Sequence, residues 1–157
     1  YASDVDLTCA TASGSVVAAG TTNRDVLLWQ AKETKLVGRV PAHNGPVTSV
    51  SLNAAGNQLA TAGKDGFVRV WALPVAPSTK IDAGGPVTAA FLLPDGKQFF
   101  AASSDKNIRL LKSTGGLERQ FSGHTAAVRA ITLLSDNKTL ASAGDEGAIR
   151  LWGAKAE

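Results

Sequence analysis

From His43 to Trp71 the chain reads HNGPVTSVSLNAAGNQLATAGKDGFVRVW, three short apolar stretches parted by polar, glycine-bearing breaks. The pattern predicts strands over VTSVSL, QLATAG and FVRVW. It places tight turns at Ala55-Gly56 and Lys64-Asp65-Gly66, because short hairpin loops need the positive φ that glycine takes freely.

The same pattern recurs. Aligned on Trp71, equivalent stretches end at Trp29, Leu111 and Trp152, so four copies fill the sequence. A turn residue falls at Gly14, Gly56, Gly96 and Asn137, behind Ser13, Ala55, Asp95 and Asp136. An apolar residue falls at Val17, Leu59, Phe99 and Leu140, and another, in the first strand, at Val5, Val47, Val87 and Val128. A repeat of about forty residues with four strands per unit predicts the blades of a propeller. The expected fold is therefore all-β, a single unit with blades at about 1–43, 44–83, 84–124 and 125–157. Outer fourth strands are expected at KLVGRV in the first blade, near Thr79 to Asp82 in the second and at LERQFSG in the third. A proline-punctuated loop, Pro74 to Pro77, keeps the second of these edges short. After Trp152 no outer strand is expected in the fourth.

Over its whole length the chain resembles the WD-repeat β-propeller family. That family's repeat carries Gly-His before the first strand, Ser or Thr in the second, Asp in the turn after it, and Trp-Asp ending the third. Gly123-His124 and Trp152 match, as do His43 and Trp71; the Asp after Trp is missing in every copy, where Gln30, Ala72, Lys112 and Gly153 stand. The resemblance implies a hydrogen-bonded tetrad of His43, Thr61, Asp65 and Trp71 in the second blade. In the fourth it implies His124, Ser142, Trp152 and either Asp145 or Glu146, with the repeat register favouring Glu146. The chemistry is coherent without the family: a buried indole N–H needs an acceptor, a hydroxyl both accepts and donates, and a histidine held by a carboxylate completes the chain. The first blade has Tyr1, Ala19 and Asn23 at these places, and the third has Ala83, Ala101 and Leu111 beside Asp105, so neither is expected to build the network.

A Ser, a His and an Asp also invite a catalytic reading. Both histidines stand at the same place in two repeats, which a scaffold predicts and a single active site does not. Two histidines far apart in sequence and the lone Cys9 match no metal-ligand spacing, and the 16 glycines follow the turns rather than a phosphate-binding motif. No catalytic residue, metal or cofactor is expected. Arg69, Arg109 and Arg150 recur just before the anchor and are expected to cover sheet surface with their stems while their heads pair locally.

Composition adds bounds. At 157 residues and 44% hydrophobic the chain is long enough for a sizeable core. The net charge of +3 is scattered over turns and outer strands (Lys35, Lys64, Lys97, Lys106, Lys138) rather than gathered on one face, which argues against nucleic acid. No apolar run approaches the roughly 18 residues of a membrane span and no basic-then-apolar leader opens the sequence, so no membrane contact is expected and the compartment stays open. Cys9 is expected as a buried, inert thiol in a first strand.

A propeller presents its variable turns at one end of its axis. Here these are Thr22, Lys64, Ser104 and Asp145, with Asp4, Pro46, Pro86 and Ala127 beside them and Thr48, Thr88 and Arg129 just inside. The expected function is a non-catalytic scaffold for a protein or peptide. The alternative is a purely structural piece, a fragment of a larger propeller or an engineered half, whose only activity is self-assembly into a closed ring. Four blades opened as an arc would leave apolar faces at both ends, and two copies would make eight, so the expected partner is the chain itself in a homodimeric eight-bladed ring, with closure of four blades on themselves as the competitor.

Overall fold

Short β-rich stretches and tight turns pair locally, and the computed structural model, which describes residues 5–32, 35–73 and 78–154, is built from four antiparallel sheets laid side by side in chain order. Blade one comprises β1 (Leu7–Ser13), β2 (Val16–Thr21), β3 (Asp25–Gln30) and β4 (Lys35–Pro41). Blade two comprises β5 (Val47–Leu52), β6 (Gln58–Gly63), β7 (Phe67–Ala72) and β8 (Thr79–Asp82). Blade three comprises β9 (Val87–Leu92), β10 (Gln98–Ser103), β11 (Asn107–Lys112) and β12 (Leu117–Ser122). Blade four comprises β13 (Val128–Leu133), β14 (Thr139–Gly144) and β15 (Ile149–Gly153), and among the described residues no fourth strand pairs with β15. Tyr1, Asp4 and the loop from Pro74 to Pro77 lie outside the described residues.

Two turn positions per blade carry left-handed backbone. Between the first and second strands these are Gly14, Gly56, Gly96 and Asn137, at φ of 57°, 66°, 70° and 53°, the residues at which the repeat places its turn. Between the second and third they are Arg24, Gly66, Lys106 and Gly147, at 75°, 84°, 75° and 77°. Arginine and lysine here carry the steric cost that glycine avoids.

The repeat register holds through the last three blades and slips by two residues in the first strand of blade one. There Leu7 pairs with Thr21 as Val47 pairs with Gly63, so Leu7 rather than Val5 is the equivalent of Val47, Val87 and Val128. The cause is a shorter hairpin: β1 and β2 close directly on Ser13 and Val16, whereas β5 and β6 are joined by a longer turn closed by Asn53. Asp6, not Asp4, consequently takes the place of Pro46, Pro86 and Ala127. Its carbonyl accepts the Thr22 N–H at 3.0 Å, as theirs accept Lys64, Ser104 and Asp145 at 3.1, 3.1 and 2.9 Å.

Alternation along each strand creates two apolar faces per sheet, and successive blades bury them against one another. Ala18, Val26, Leu28 and Val40 of blade one pack with Val47, Val50, Leu52, Leu59 and Trp71 of blade two. Ala60, Ala62, Val68, Val70 and Ile81 then meet Val87, Ala90, Leu92, Phe99 and Leu111. Phe100, Ala102, Ile108, Leu110 and Phe121 meet Val128, Leu140 and Trp152. The inner strands follow suit, β1 on β5, β5 on β9 and β9 on β13. The series is an open arc: Ile149 and Leu151 at one end are 77% and 65% exposed, and Leu7 at the other is 52% exposed. Four-blade closure is not the arrangement adopted.

The left-handed turns give a stability prediction. Lys106→Gly relieves a positive-φ side chain and should raise stability by about 1 kcal/mol, while Gly66→Ala at the equivalent place should lower it by a similar amount. Urea denaturation midpoints check both, and equal effects of one sign would contradict the assignment.

Candidate functional site

The connection from β4 to β5 brings His43 over Thr61 of β6, Asp65 of the following turn and Trp71 of β7. An indole nitrogen can only donate, which fixes the direction of the whole chain. Trp71 Nε1–H donates to Thr61 Oγ1 at 3.1 Å, the Thr61 hydroxyl donates to His43 Nε2 at 2.9 Å, and His43 Nδ1–H donates to Asp65 Oδ1 at 2.9 Å. The other Asp65 oxygen accepts the Asn44 N–H at 3.0 Å and Arg69 Nη1 at 3.1 Å. Thr61, His43 and Trp71 are buried. Burial holds the His43 imidazole below the usual histidine range even beside Asp65. Burial alone would raise the Asp65 carboxyl, but the Asn44 amide, His43 and Arg69 more than offset it and bring it from 3.8 to about 2. Both ring nitrogens of His43 are thus bonded, and the ring links the Thr61 hydroxyl that holds Trp71 to the Asp65 carboxylate.

Blade four repeats the arrangement. Trp152 Nε1–H donates to Ser142 Oγ at 2.8 Å, Ser142 to His124 Nε2 at 2.7 Å, and His124 Nδ1 bonds Glu146. Glu146 thus takes the aspartate's place, while Asp145 turns outward and is bonded by Arg129 through Nε at 2.7 Å and Nη2 at 2.5 Å. The extra methylene has a cost: Glu146 Oε2 and Arg150 Nε are buried without a hydrogen bond, Arg150 Nε standing 3.8 Å from Glu146 Oε1.

The other two blades fill the same space differently. In blade three Ala83, Ala101 and Leu111 join one apolar cluster, and Arg109 pairs with Asp105 at 2.5 Å. Arg69, Arg109 and Arg150 all lie beside the acid of their own blade, the local pairing expected of them. In blade one Ala19 is buried, and Asn23 is exposed in its turn.

Of the residues read as top-face candidates, Thr22, Lys64, Ser104 and Asp145 are exposed at the β2–β3, β6–β7, β10–β11 and β14–β15 turns. Thr48 and Thr88 are half-buried between blades instead. Thr48 Oγ1 donates to Val87 O at 2.8 Å and Thr88 Oγ1 to Val128 O at 2.5 Å, and Thr8, which the sequence alone did not single out, donates to Val47 O at 2.6 Å. Arg129 is exposed. Cys9 is half-buried in β1, and burial pushes its thiol up, away from reactivity. Among the described residues no group of His, Cys, Asp and Glu is arranged to hold a metal, and no helix is long and apolar enough to cross a membrane.

Comparison with known proteins gives the family. The WD domain, G-beta repeat model matches residues 34–72 and 115–153, each match ending with one of the two blades that carry a complete polar tetrad. This chain belongs to the WD-repeat family. The WD-repeat chain is similar to the small ribosomal subunit protein RACK1y of Oryza sativa subsp. japonica, at 24% identity over 87% of this chain and 43% of that one. It is similar to telomerase protein component 1 of Rattus norvegicus, at 30% identity over 90% of this chain and 6% of that one. Among solved structures it superimposes on U3-55K with a TM-score of 0.89 at 16% identity, covering 98% of this chain and 50% of that one. The chain spans less than half the length of these curated relatives. The superposition places its four sheets as successive blades of a WD propeller.

The tetrad predicts a specific loss. Thr61→Ala leaves the Trp71 N–H and His43 Nε2 without partners and should destabilise the fold by about 1–3 kcal/mol. Ala101→Thr, which buries a hydroxyl in the apolar cluster of blade three, should give no gain. Chemical denaturation measures both, and a silent Thr61→Ala would refute the network.

Proposed function

We propose that the chain is a non-catalytic scaffold for a protein or peptide partner, displayed on the turns that carry Thr22, Lys64, Ser104 and Asp145. The observation that carries this reading is that both His–hydroxyl–carboxylate sets are used up in bracing buried tryptophans, Thr61 being 0% and Ser142 2% exposed, so neither offers a nucleophile or base to solvent. A rigid support with varied, exposed turns is what loop-borne recognition needs. The membership of the WD-repeat family and the likeness to RACK1y support the same reading. Joint replacement of the four turn residues by alanine should lower partner recovery at least about tenfold at an unchanged urea midpoint, as expected when exposed contacts carry binding and buried ones carry stability. Recovery that survives the turn changes and fails with His43→Gln at full stability would contradict the scaffold and favour chemistry at the tetrad.

A second reading concerns assembly. The exposed Ile149, Leu151 and Leu7 at the two ends of the arc favour completion of the ring by a second copy, giving a homodimer of eight blades.

A further inference from the structure

The three junctions inside the chain share one hydrogen bond at one place. Its donor is a threonine that interrupts the pairing of each inner strand, Thr8, Thr48 or Thr88, and its acceptor is the carbonyl of Val47, Val87 or Val128 in the next blade. The residue before each acceptor is Pro46, Pro86 or Ala127, so every internal junction is uncharged at this point. The two ends of the arc break the pattern together. In blade four the ladder skips Arg129 between Val128 and Ala130, which puts an arginine where the others have the donor threonine. In blade one Leu7 holds the acceptor place and is preceded by Asp6, established as the equivalent of Pro46, Pro86 and Ala127 by the bond from Thr22 N–H to its carbonyl. The donor place and the place just before the acceptor are therefore charged only at the outer ends, and there they carry opposite signs.

Three further observations point to what covers these ends. The face of blade four that looks away from blade three carries Ala141, Ala143, Ile149 and Leu151, which occupy the places of Ala60, Ala62, Val68 and Val70; the latter four are buried by blade three. The surface used three times between blades is thus repeated on blade four, where Ile149 is 77% exposed. Arg129 is bonded by Asp145 of its own blade, the pair being 59% and 44% exposed. The Asp6 carboxylate is exposed and has no hydrogen-bond or ion-pair partner among the described residues.

We propose that a second copy of this chain covers the open face of blade four, and that Arg129 of each copy pairs with Asp6 of the other at the two junctions of the ring. The inference rests on the two-copy ring and adds the residues that set its register. A guanidinium supplies the donor that threonine supplies elsewhere, with the reach to bridge Asp145 of its own blade and Asp6 of the arriving one. Opposite charges found only at the outer junctions also disfavour wrong arrangements, since blade one against blade one or blade four against blade four would set like charges together.

Analytical ultracentrifugation of the full chain at micromolar concentration tests this. The wild type should sediment at two chain masses, with a dissociation constant that rises with salt. Arg129→Glu and Asp6→Lys should each weaken assembly by about tenfold or more, because each sets like charges at both junctions. An equal mixture of these two variants should restore the wild-type affinity, because the mixed pair has one native and one reversed junction, both attractive. Arg129→Thr, which installs the residue of the internal junctions, should keep the two-chain mass and lose the salt dependence. A stable single-chain wild type would overturn both the ring and the pair. A two-chain wild type that is indifferent to salt, or charge variants whose mixture assembles no better than either alone, would overturn the pair and leave the ring standing.

Discussion

The structure depends on the burial of one blade's apolar face against the next. No sheet here can hide both of its faces alone: in the second blade, Val68 and Val70 need blade three, while Leu59 and Trp71 need blade one. Burying a Val, Leu or Ile side chain contributes about 1.5–3 kcal/mol, and each junction buries several, so the junctions and not the individual sheets carry the stability. Hydrogen bonds within a sheet set strand order, but they leave two apolar surfaces that only neighbours can cover. The order of the elements follows from that constraint, as do the small residues at Gly20, where a Cβ would meet Val47 of the next blade, and at the fully buried Ala62 and Ala102.

The polar tetrads are subordinate to it. They sit inside junctions, where His43 and Thr61 let a bulky Trp71 be buried with its N–H satisfied. Blade three reaches the same end without polar groups, since Leu111 with Ala83 and Ala101 needs no partner. The two solutions coexist because a fully satisfied buried network and a fully apolar core are both stable, whereas a half-built network is not. Glu146 lies nearest to that unfavourable middle: it bonds His124 yet leaves one of its oxygens buried without a hydrogen bond.

Much of this was legible in the sequence because the information is repeated. Recurrence of Gly14, Gly56, Gly96 and Asn137 fixed the turn, and all four take positive φ. Both tetrads could be read residue by residue, since their members stand at fixed spacing from Trp71 and Trp152. The slip in blade one was hidden because counting back from Trp29 crosses a hairpin two residues shorter than its equivalents. That slip concealed Thr8 and Asp6, and with them the meaning of Thr48 and Thr88, which look like surface hydroxyls until their shared acceptor place is seen. Arg24 and Lys106 carry no sequence signal of left-handed backbone; only their equivalence to Gly66 and Gly147 reveals it.

If junction burial is the governing constraint, the open face of blade four is covered in solution. The most direct measurement is the alkylation rate of a thiol placed by Ile149→Cys in a Cys9→Ser background, where serine is the residue that blade two already carries at Ser49. Labelling should be slow at concentrations that favour assembly and fast on dilution. Labelling that is equally fast at every concentration would show that the face stays bare and would contradict it.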